Sequence, residues 1–167
     1  VAIHEADLGI GQRLRDIGES FDYVSLMVYP SHYYGGFEVP ADPGRNLPAL
    51  FFPYRAADAS RTAVAQPYDV VYRSLLIAED VLSGRATTTN TVATSTPPAS
   101  PAEEGKRRAK LRPWLQDFDL GVDSSRGIRY DAAKVRAEID AAEAAGASGW
   151  LLWSPDNVYT KEALKPE

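Results

Sequence analysis

Three segments of the chain carry apolar residues at intervals of three and four positions, the spacing of a helix that packs one face against a core. This pattern predicts helices over residues 7–21, 67–83 and 131–146. The second helix begins at Pro67, where a missing N–H is tolerated. The third has Asp131 as its N-cap and Gly146 as its stop.

Three short runs of apolar and aromatic residues predict strands, and they cover residues 23–29, 111–118 and 148–153. The first run, YVSLMVY, is nearly continuous and is typical of a parallel strand buried on both faces. Pro113 interrupts the second run, so we expect an irregular or bulged start there.

Helices and strands alternate along the chain, with crossovers long enough for parallel pairing, which predicts an α/β fold of βαβαβ type. A doubly wound sheet and a (β/α)8 barrel both fit this order. The chain has neither GxGxxG after the first strand nor GxxxxGK[ST] anywhere, which weakens nucleotide-binding forms of the open sheet. Three strands are too few for a complete barrel, so periodicity leaves both arrangements open.

Two segments lack any period. Residues 30–66 contain five Pro residues and many aromatics, and a connection of this length inside a domain tends to be functional. Residues 84–109 are rich in Thr and Pro and then charged, which is typical of a low-complexity insertion.

Charge and composition exclude several function classes. With 18 basic and 23 acidic residues the net charge is −5, which argues against a general nucleic-acid binder, and no apolar run is long enough for a membrane span. The chain has no Cys and two His residues, so neither a metal nor a cofactor is indicated. It starts at Val1 without signal-peptide features, and we expect it to be an interior piece of a longer product. Secretion is compatible with the Thr/Pro-rich segment, but no residue pattern demonstrates it.

Several motifs together resemble the putative glycoside hydrolase domain family, which is related to the family 13 (α-amylase-type) barrels and was long catalogued as a domain of unknown function. The matching segments are DLGIGQ (7–12), FDYVSLMVYPSHY (21–33), QPYDVVYRSL (66–75), RPWLQDF (112–118) and AGASGWLLWSPDNVYT (145–160). The combination of VYPSHY with RPWLQDF is far more specific than any tripeptide in it. Three features depart from the family pattern: Leu26, the residues 154–156, and the Thr/Pro insertion.

The resemblance implies that residues 1–167 form the C-terminal part of a (β/α)8 barrel. Its sixth, seventh and eighth strands would lie at about 22–29, 110–117 and 148–154. The earlier strands would come from upstream sequence, which makes the N-terminal half of the same barrel an expected partner. Barrel active sites lie at the C-terminal ends of the strands, so the insertion at 84–109 would lie on the opposite face.

Asp117 is the best candidate for a catalytic carboxylate, because it stands at the end of the predicted seventh strand. The resemblance implies a transition-state stabiliser there, with the nucleophile and acid on the absent fourth and fifth strands. The competing interpretation is a structural carboxylate that caps the next loop or pairs with Arg112.

Six further residues are candidates for binding a carbohydrate substrate: Tyr29, His32, Trp114, Gln116, Trp153 and Asn157. The Trp rings have flat apolar faces that can stack on sugars. Strand alternation separates Trp150 from Trp153, and Trp153 is the preferred platform because it lies nearer the C-terminal end. Asn157, beside Asp156 and after Pro155, also fits ordinary turn chemistry.

The sequence therefore predicts a glycoside hydrolase that acts on a polysaccharide or oligosaccharide, with this chain supplying part of the active site. Two alternatives stay open: a carbohydrate-binding barrel without turnover, and an independent half-barrel interaction domain. The half-barrel would need a partner or second copy to cover its edge strands.

Overall fold

A computed structural model describes residues 13–56, 58–85 and 108–164. The DLGIGQ segment, which opens the first predicted helix, lies outside the described residues. So do residues 86–107, which make up most of the Thr/Pro-rich insertion predicted at 84–109.

The described part contains four α-helices and seven short strands. The helices are α1 (Leu14–Ser20), α2 (Pro67–Leu82), α3 (Gly121–Ser124) and α4 (Ala132–Ala144). The strands are β1 (Tyr23–Val24), β2 (Met27–Val28), β3 (Phe37–Val39), β4 (Leu50–Phe52), β5 (Lys110–Leu111), β6 (Trp114–Gln116) and β7 (Leu151–Trp153). Among the described residues, no helix has the length and apolar character needed to cross a bilayer.

Three stretches of chain lie side by side as parallel strands. β1 pairs with β5, and β2 pairs with β6, which pairs in turn with β7. Met27 lies opposite Trp114, and Trp114 lies opposite Leu151. The connections contain α2 and α4, so the predicted βαβαβ order with parallel strands is confirmed.

Pro113 separates β5 from β6, as its missing N–H predicts. The pairing continues on either side of it. The Arg112 N–H donates to the Val24 carbonyl at 3.0 Å, and the Trp114 N–H donates to the Leu26 carbonyl at 2.9 Å.

One face of the parallel strands is covered by α2 and α4, which also pack against each other. The core between the strands and these two helices consists mainly of aliphatic side chains. Its fully or nearly buried members include Val28, Val70, Val71, Leu75, Leu115, Val135 and Ile139.

The opposite face of the strands is open, and here the sequence-based expectation was wrong. The stretch 23–29 was expected to be buried on both faces, but its outward positions Tyr23, Ser25 and Met27 are exposed. Met27 has 73% of its surface exposed, and Trp153 on β7 has 44%. The physical reason is that the helices of the described residues pack on the other face.

The segment 30–66 was expected to be irregular throughout, and this was also wrong. β3 and β4 form an antiparallel hairpin in which Phe37 pairs with Phe52. Their rings stack with centroids 6.0 Å apart. Gly36 precedes the hairpin at φ 83°, and a Cβ there would lie 3.1 Å from the Phe52 carbonyl oxygen, so the position requires glycine.

A buried arginine holds this hairpin on α2. Arg73 donates one hydrogen bond to the Pro40 carbonyl at 2.6 Å and another to the Pro48 carbonyl at 2.7 Å. The two carbonyls flank the hairpin loop. The side chain thus replaces hydrogen bonds that water would otherwise make to the loop.

Replacing Arg73 should therefore destabilise the fold. Arg73→Met leaves the two carbonyls without their donor, and we expect the free energy of unfolding to fall by about 2–4 kcal/mol in urea titrations. Arg61→Met is the matched control, because Arg61 is exposed and its loss should change stability by less than about 0.5 kcal/mol. Equal stabilities of the two variants would contradict the assigned role of Arg73.

Candidate active site

The carboxyl ends of the parallel strands bring several candidate residues to one edge of the sheet. β2 runs through Tyr29 into a single 3-10 turn, Pro30–His32. β6 ends at Gln116 and is followed by Asp117. The ends of the first and second predicted strands therefore lie next to each other, because β2 pairs directly with β6.

Gln116 joins these two strand ends. It is fully buried, and its Oε1 accepts a hydrogen bond from the Ser31 backbone N–H at 3.1 Å. Its Nε2 donates to Ser31 Oγ at 2.8 Å and to the Phe118 carbonyl at 2.9 Å. After Val28 the backbone stops pairing with β6 and forms the 3-10 turn that begins at Pro30. The side-chain amide of Gln116 connects β6 to this turn by its hydrogen bonds to Ser31.

Glu138 on α4 supports Gln116 from the helix side and was missed by the sequence analysis. Its Oε2 accepts a hydrogen bond from the Gln116 backbone N–H at 2.7 Å, and the Tyr130 hydroxyl donates to its Oε1. Burial raises the pKa of Glu138 well above its ordinary value, and these two hydrogen bonds oppose the shift only in part. A usable signal existed, since Glu138 stands three residues after Val135 on the buried stripe of its helix.

Asp117 anchors the segment that follows β7. Its Oδ1 accepts from Thr160 Oγ1 at 2.6 Å, and its Oδ2 accepts from the Thr160 backbone N–H at 2.8 Å. Only 4% of its surface is exposed. The sequence analysis weighed a carboxylate that caps the next loop or pairs with Arg112 against a catalytic role. The partner of Asp117 is instead Thr160, beyond β7, and Arg112 lies over the Tyr23 ring at 4.0 Å.

Five rings form an aromatic cluster beside these carboxyl and amide groups: Tyr29, His32, Tyr34, Tyr54 and Phe118. Tyr29 contacts His32 edge-on at 5.3 Å and Phe118 at 5.6 Å between ring centroids. Burial raises the pKa of Tyr29, so its phenol stays a neutral hydrogen-bonding group. Tyr29 and His32 were predicted, whereas the other three rings were not, because only the path of the loops brings them together.

The remaining predicted residues lie apart from this cluster. Trp114 and Trp153 contact each other edge-on at 6.1 Å on the open face of the sheet. Trp150 packs against the core instead, as the strand alternation predicted. Asn157 adopts a left-handed turn at φ 53°, and its N–H donates to the Ser154 carbonyl.

A further carboxylate that the sequence analysis missed lines a small pocket together with Tyr54 of the cluster. Asp123 on α3 is buried, and its Oδ2 has no hydrogen-bond partner within the described residues. It lines this pocket with Ser31, Tyr33 and Tyr54, and the pocket has room for about one water molecule, about 10 Å³. Its carboxylate lies 3.8 Å from Arg126 Nη1.

The described ranges contain no group of three or more His, Cys, Asp or Glu side chains placed to hold a metal ion.

The comparison with protein families decides the family of this chain. A family model described as "Putative glycosyl hydrolase domain" matches residues 1–159. The chain belongs to this family. The resemblance carried by VYPSHY and RPWLQDF is thereby confirmed, and the match to this glycosyl hydrolase family covers nearly the whole chain. No curated protein and no solved structure gave a match.

The buried carboxyl of Glu138 predicts a pH dependence of the stability of this domain. Above the ordinary glutamate pKa of about 4.3, the unfolded state loses the Glu138 proton while the folded state keeps it, so wild-type stability falls as the pH rises. Glu138→Gln does not titrate. Its stability relative to wild type should therefore rise by up to about 1.4 kcal/mol per pH unit until the raised folded pKa is passed.

Urea titrations of both proteins between about pH 4 and pH 8 measure this difference. Glu38→Gln is the control, because it makes the same carboxylate-to-amide change at an exposed position on β3. A pH-independent difference for Glu138→Gln would mean that Glu138 ionises as readily in the folded chain as in the unfolded one.

Proposed function

We propose that this domain hydrolyses glycosidic bonds of a polysaccharide or oligosaccharide, and that this chain contributes the C-terminal part of a (β/α)8 barrel to the active site. One observation carries the proposal. A chain of a glycosyl hydrolase family gathers hydroxyl, imidazole, amide and carboxylate groups at the carboxyl edge of parallel strands, where barrel enzymes place their sites.

The barrel part of the proposal is supported by the order of the strands and by the open sheet face. The three parallel stretches follow one another in chain order, as barrel strands six, seven and eight would. Tyr23 and Met27 would point into the barrel interior, which is normally a packed core, and Trp153, the last residue of β7, would lie at the carboxyl end of that interior. The expected occupant of that face is the N-terminal half of the same barrel, supplied by upstream sequence.

A charge placed on the open face tests this arrangement. In the natural full-length protein, Met27→Glu should lower the free energy of unfolding by about 2–4 kcal/mol, because it would bury an unpaired carboxylate among the barrel strands. Phe51→Lys is the charged control, since Phe51 is 64% exposed on β4, lies outside this face and pairs with Glu38, opposite which a lysine adds no like-charge repulsion. If both substitutions are equally mild in urea or thermal unfolding, the face is not covered and the barrel proposal fails.

Asp117 is the catalytic-face carboxylate of the proposal, with the nucleophile and proton donor on strands outside this chain. A carboxyl group there can stabilise the positive charge that develops on the sugar in the transition state. The two hydrogen bonds from Thr160 fix its orientation, which is what preorganised electrostatic stabilisation requires.

The sugar itself would be bound by the remaining candidates. Tyr29 and His32 offer hydrogen-bonding groups beside the aromatic faces of their cluster, and Gln116 forms the floor that holds the turn with His32. Trp114 and Trp153 offer a second apolar surface, and Asn157 a polar side chain on the following turn.

The catalytic role of Asp117 is tested against a purely structural one by two substitutions. Asp117→Asn removes the negative charge and also one of the two hydrogen bonds from Thr160, because an amide nitrogen cannot accept. It should lower kcat by about 10²–10⁴ and leave KM within about threefold, because the lost charge acts on the transition state. Thr160→Val removes the hydroxyl hydrogen bond but keeps the carboxylate, and it should lower kcat by less than about tenfold.

The assay is reducing-end release from α- and β-linked oligosaccharides of glucose, mannose and N-acetylglucosamine by the natural full-length protein. Equal losses of kcat in both variants, with equal losses of stability, would reduce Asp117 to an anchor of the Thr160 segment. Unchanged turnover in Asp117→Asn would remove it from the mechanism.

A carbohydrate-binding barrel without turnover is the second candidate function. It is favoured by the fact that both oxygens of Asp117 already accept hydrogen bonds from Thr160. This candidate expects oligosaccharide binding without reducing-end release, and no carboxylates at the ends of the upstream fourth and fifth strands.

A further inference from the structure

Two adjacent tyrosines after the turn with His32 have opposite environments. Tyr33 points inward, where its ring contacts Phe37 edge-on at 5.3 Å and its hydroxyl forms a hydrogen bond with Ser74 Oγ at 3.2 Å. Tyr34 points outward with 56% of its surface exposed. Tyr33 therefore has a structural role, while the exposure of Tyr34 is not explained by packing.

The ring of Tyr34 is held in a defined orientation despite this exposure. His32 stacks against one side of it, with centroids 6.0 Å apart and an interplanar angle of 21°. Tyr54 contacts it in a T-shaped arrangement with ring centroids 5.4 Å apart. These two contacts support the ring of Tyr34, and the part of the ring that stays exposed to solvent is its outer face.

The backbone under Tyr34 is constrained as well. Its N–H donates to the His32 carbonyl at 2.9 Å, and the Gly36 N–H donates to the Tyr33 carbonyl at 2.9 Å. Gly36, at φ 83°, passes so close to Phe52 that no other residue fits without displacement. A ligand on Tyr34 would therefore cost little ordering of the loop.

We propose that the outer face of Tyr34 is a stacking platform for a pyranose ring of an oligosaccharide, a subsite next to the groups at the strand ends. The face of an aromatic ring is negative and apolar, so it attracts the C–H face of a sugar. His32 lies under the same ring and contacts Phe118 and Tyr29, which links the platform to the candidate site. This inference rests on the proposed carbohydrate function.

The test measures affinity rather than turnover, in the natural full-length protein. The probes are soluble α- and β-linked oligosaccharides of glucose, mannose and N-acetylglucosamine, each titrated by calorimetry. Tyr34→Ala should weaken binding of the preferred probe by about tenfold or more, whereas Tyr34→Phe should keep it within about threefold, since stacking needs the ring and not the hydroxyl.

Phe51→Ala is the matched control, because it removes an exposed ring of the neighbouring hairpin that lies outside the aromatic cluster. It should leave affinity unchanged. Tyr34→Trp, which retains a large flat face, covers the case in which the alanine variant fails to fold, and it should bind at least as tightly as Tyr34→Phe.

The outcomes separate the platform from the proposed function. If the wild type binds an oligosaccharide and a folded Tyr34→Ala binds within threefold of it, the platform is overturned and the carbohydrate function stands. If Tyr34→Ala is unfolded and Tyr34→Trp and Tyr34→Phe both lose binding, the platform is also overturned. If the wild type binds no probe, the platform and the proposed function fall together.

Discussion

The candidate site depends on the hydrogen bonds between the fully buried side chain of Gln116 and Ser31. Parallel strands keep their backbone groups paired only while both chains stay extended, and β2 leaves the ladder at Pro30. The Gln116 amide then supplies both a donor and an acceptor to Ser31, and the Glu138 carboxyl accepts a hydrogen bond from the Gln116 backbone N–H at the end of β6. These hydrogen bonds hold the turn that contains His32 against β6.

The two faces of the parallel strands differ in how far their side chains are buried. One face buries its aliphatic side chains under α2 and α4 in the ordinary way. The other face exposes Met27 and Trp153 to solvent, with Trp114 half-buried against Trp153, although apolar surface of this kind is normally covered. The barrel proposal gives that surface a partner, and it places the aromatic cluster and Asp117 on the rim where sugar would enter.

Local patterns could predict the elements that depend on local chemistry. Helical spacing located α2 and α4, Asp131 accepts from the Lys134 N–H as an N-cap should, and Pro113 interrupts its strand. The hairpin of β3 and β4 was not predicted, because each of its strands has only three residues and prolines lie nearby in the sequence. The alternation of apolar and polar residues is therefore too short to indicate a strand. Its attachment through Arg73 joins residues 25 and 33 positions away, and no local pattern encodes that distance.

The sequence by itself determined the family, the βαβαβ order and the strand ends at which Tyr29, His32, Gln116 and Asp117 stand, because periodicity and motifs are properties of consecutive residues. Only the tertiary structure decided what those side chains touch. In the folded chain Asp117 accepts hydrogen bonds from Thr160. The aromatic cluster around His32 consists of residues from three separate loops. The reason is that hydrogen-bond partners and stacked rings are chosen by the paths of loops in space, and loop paths carry no periodic signal.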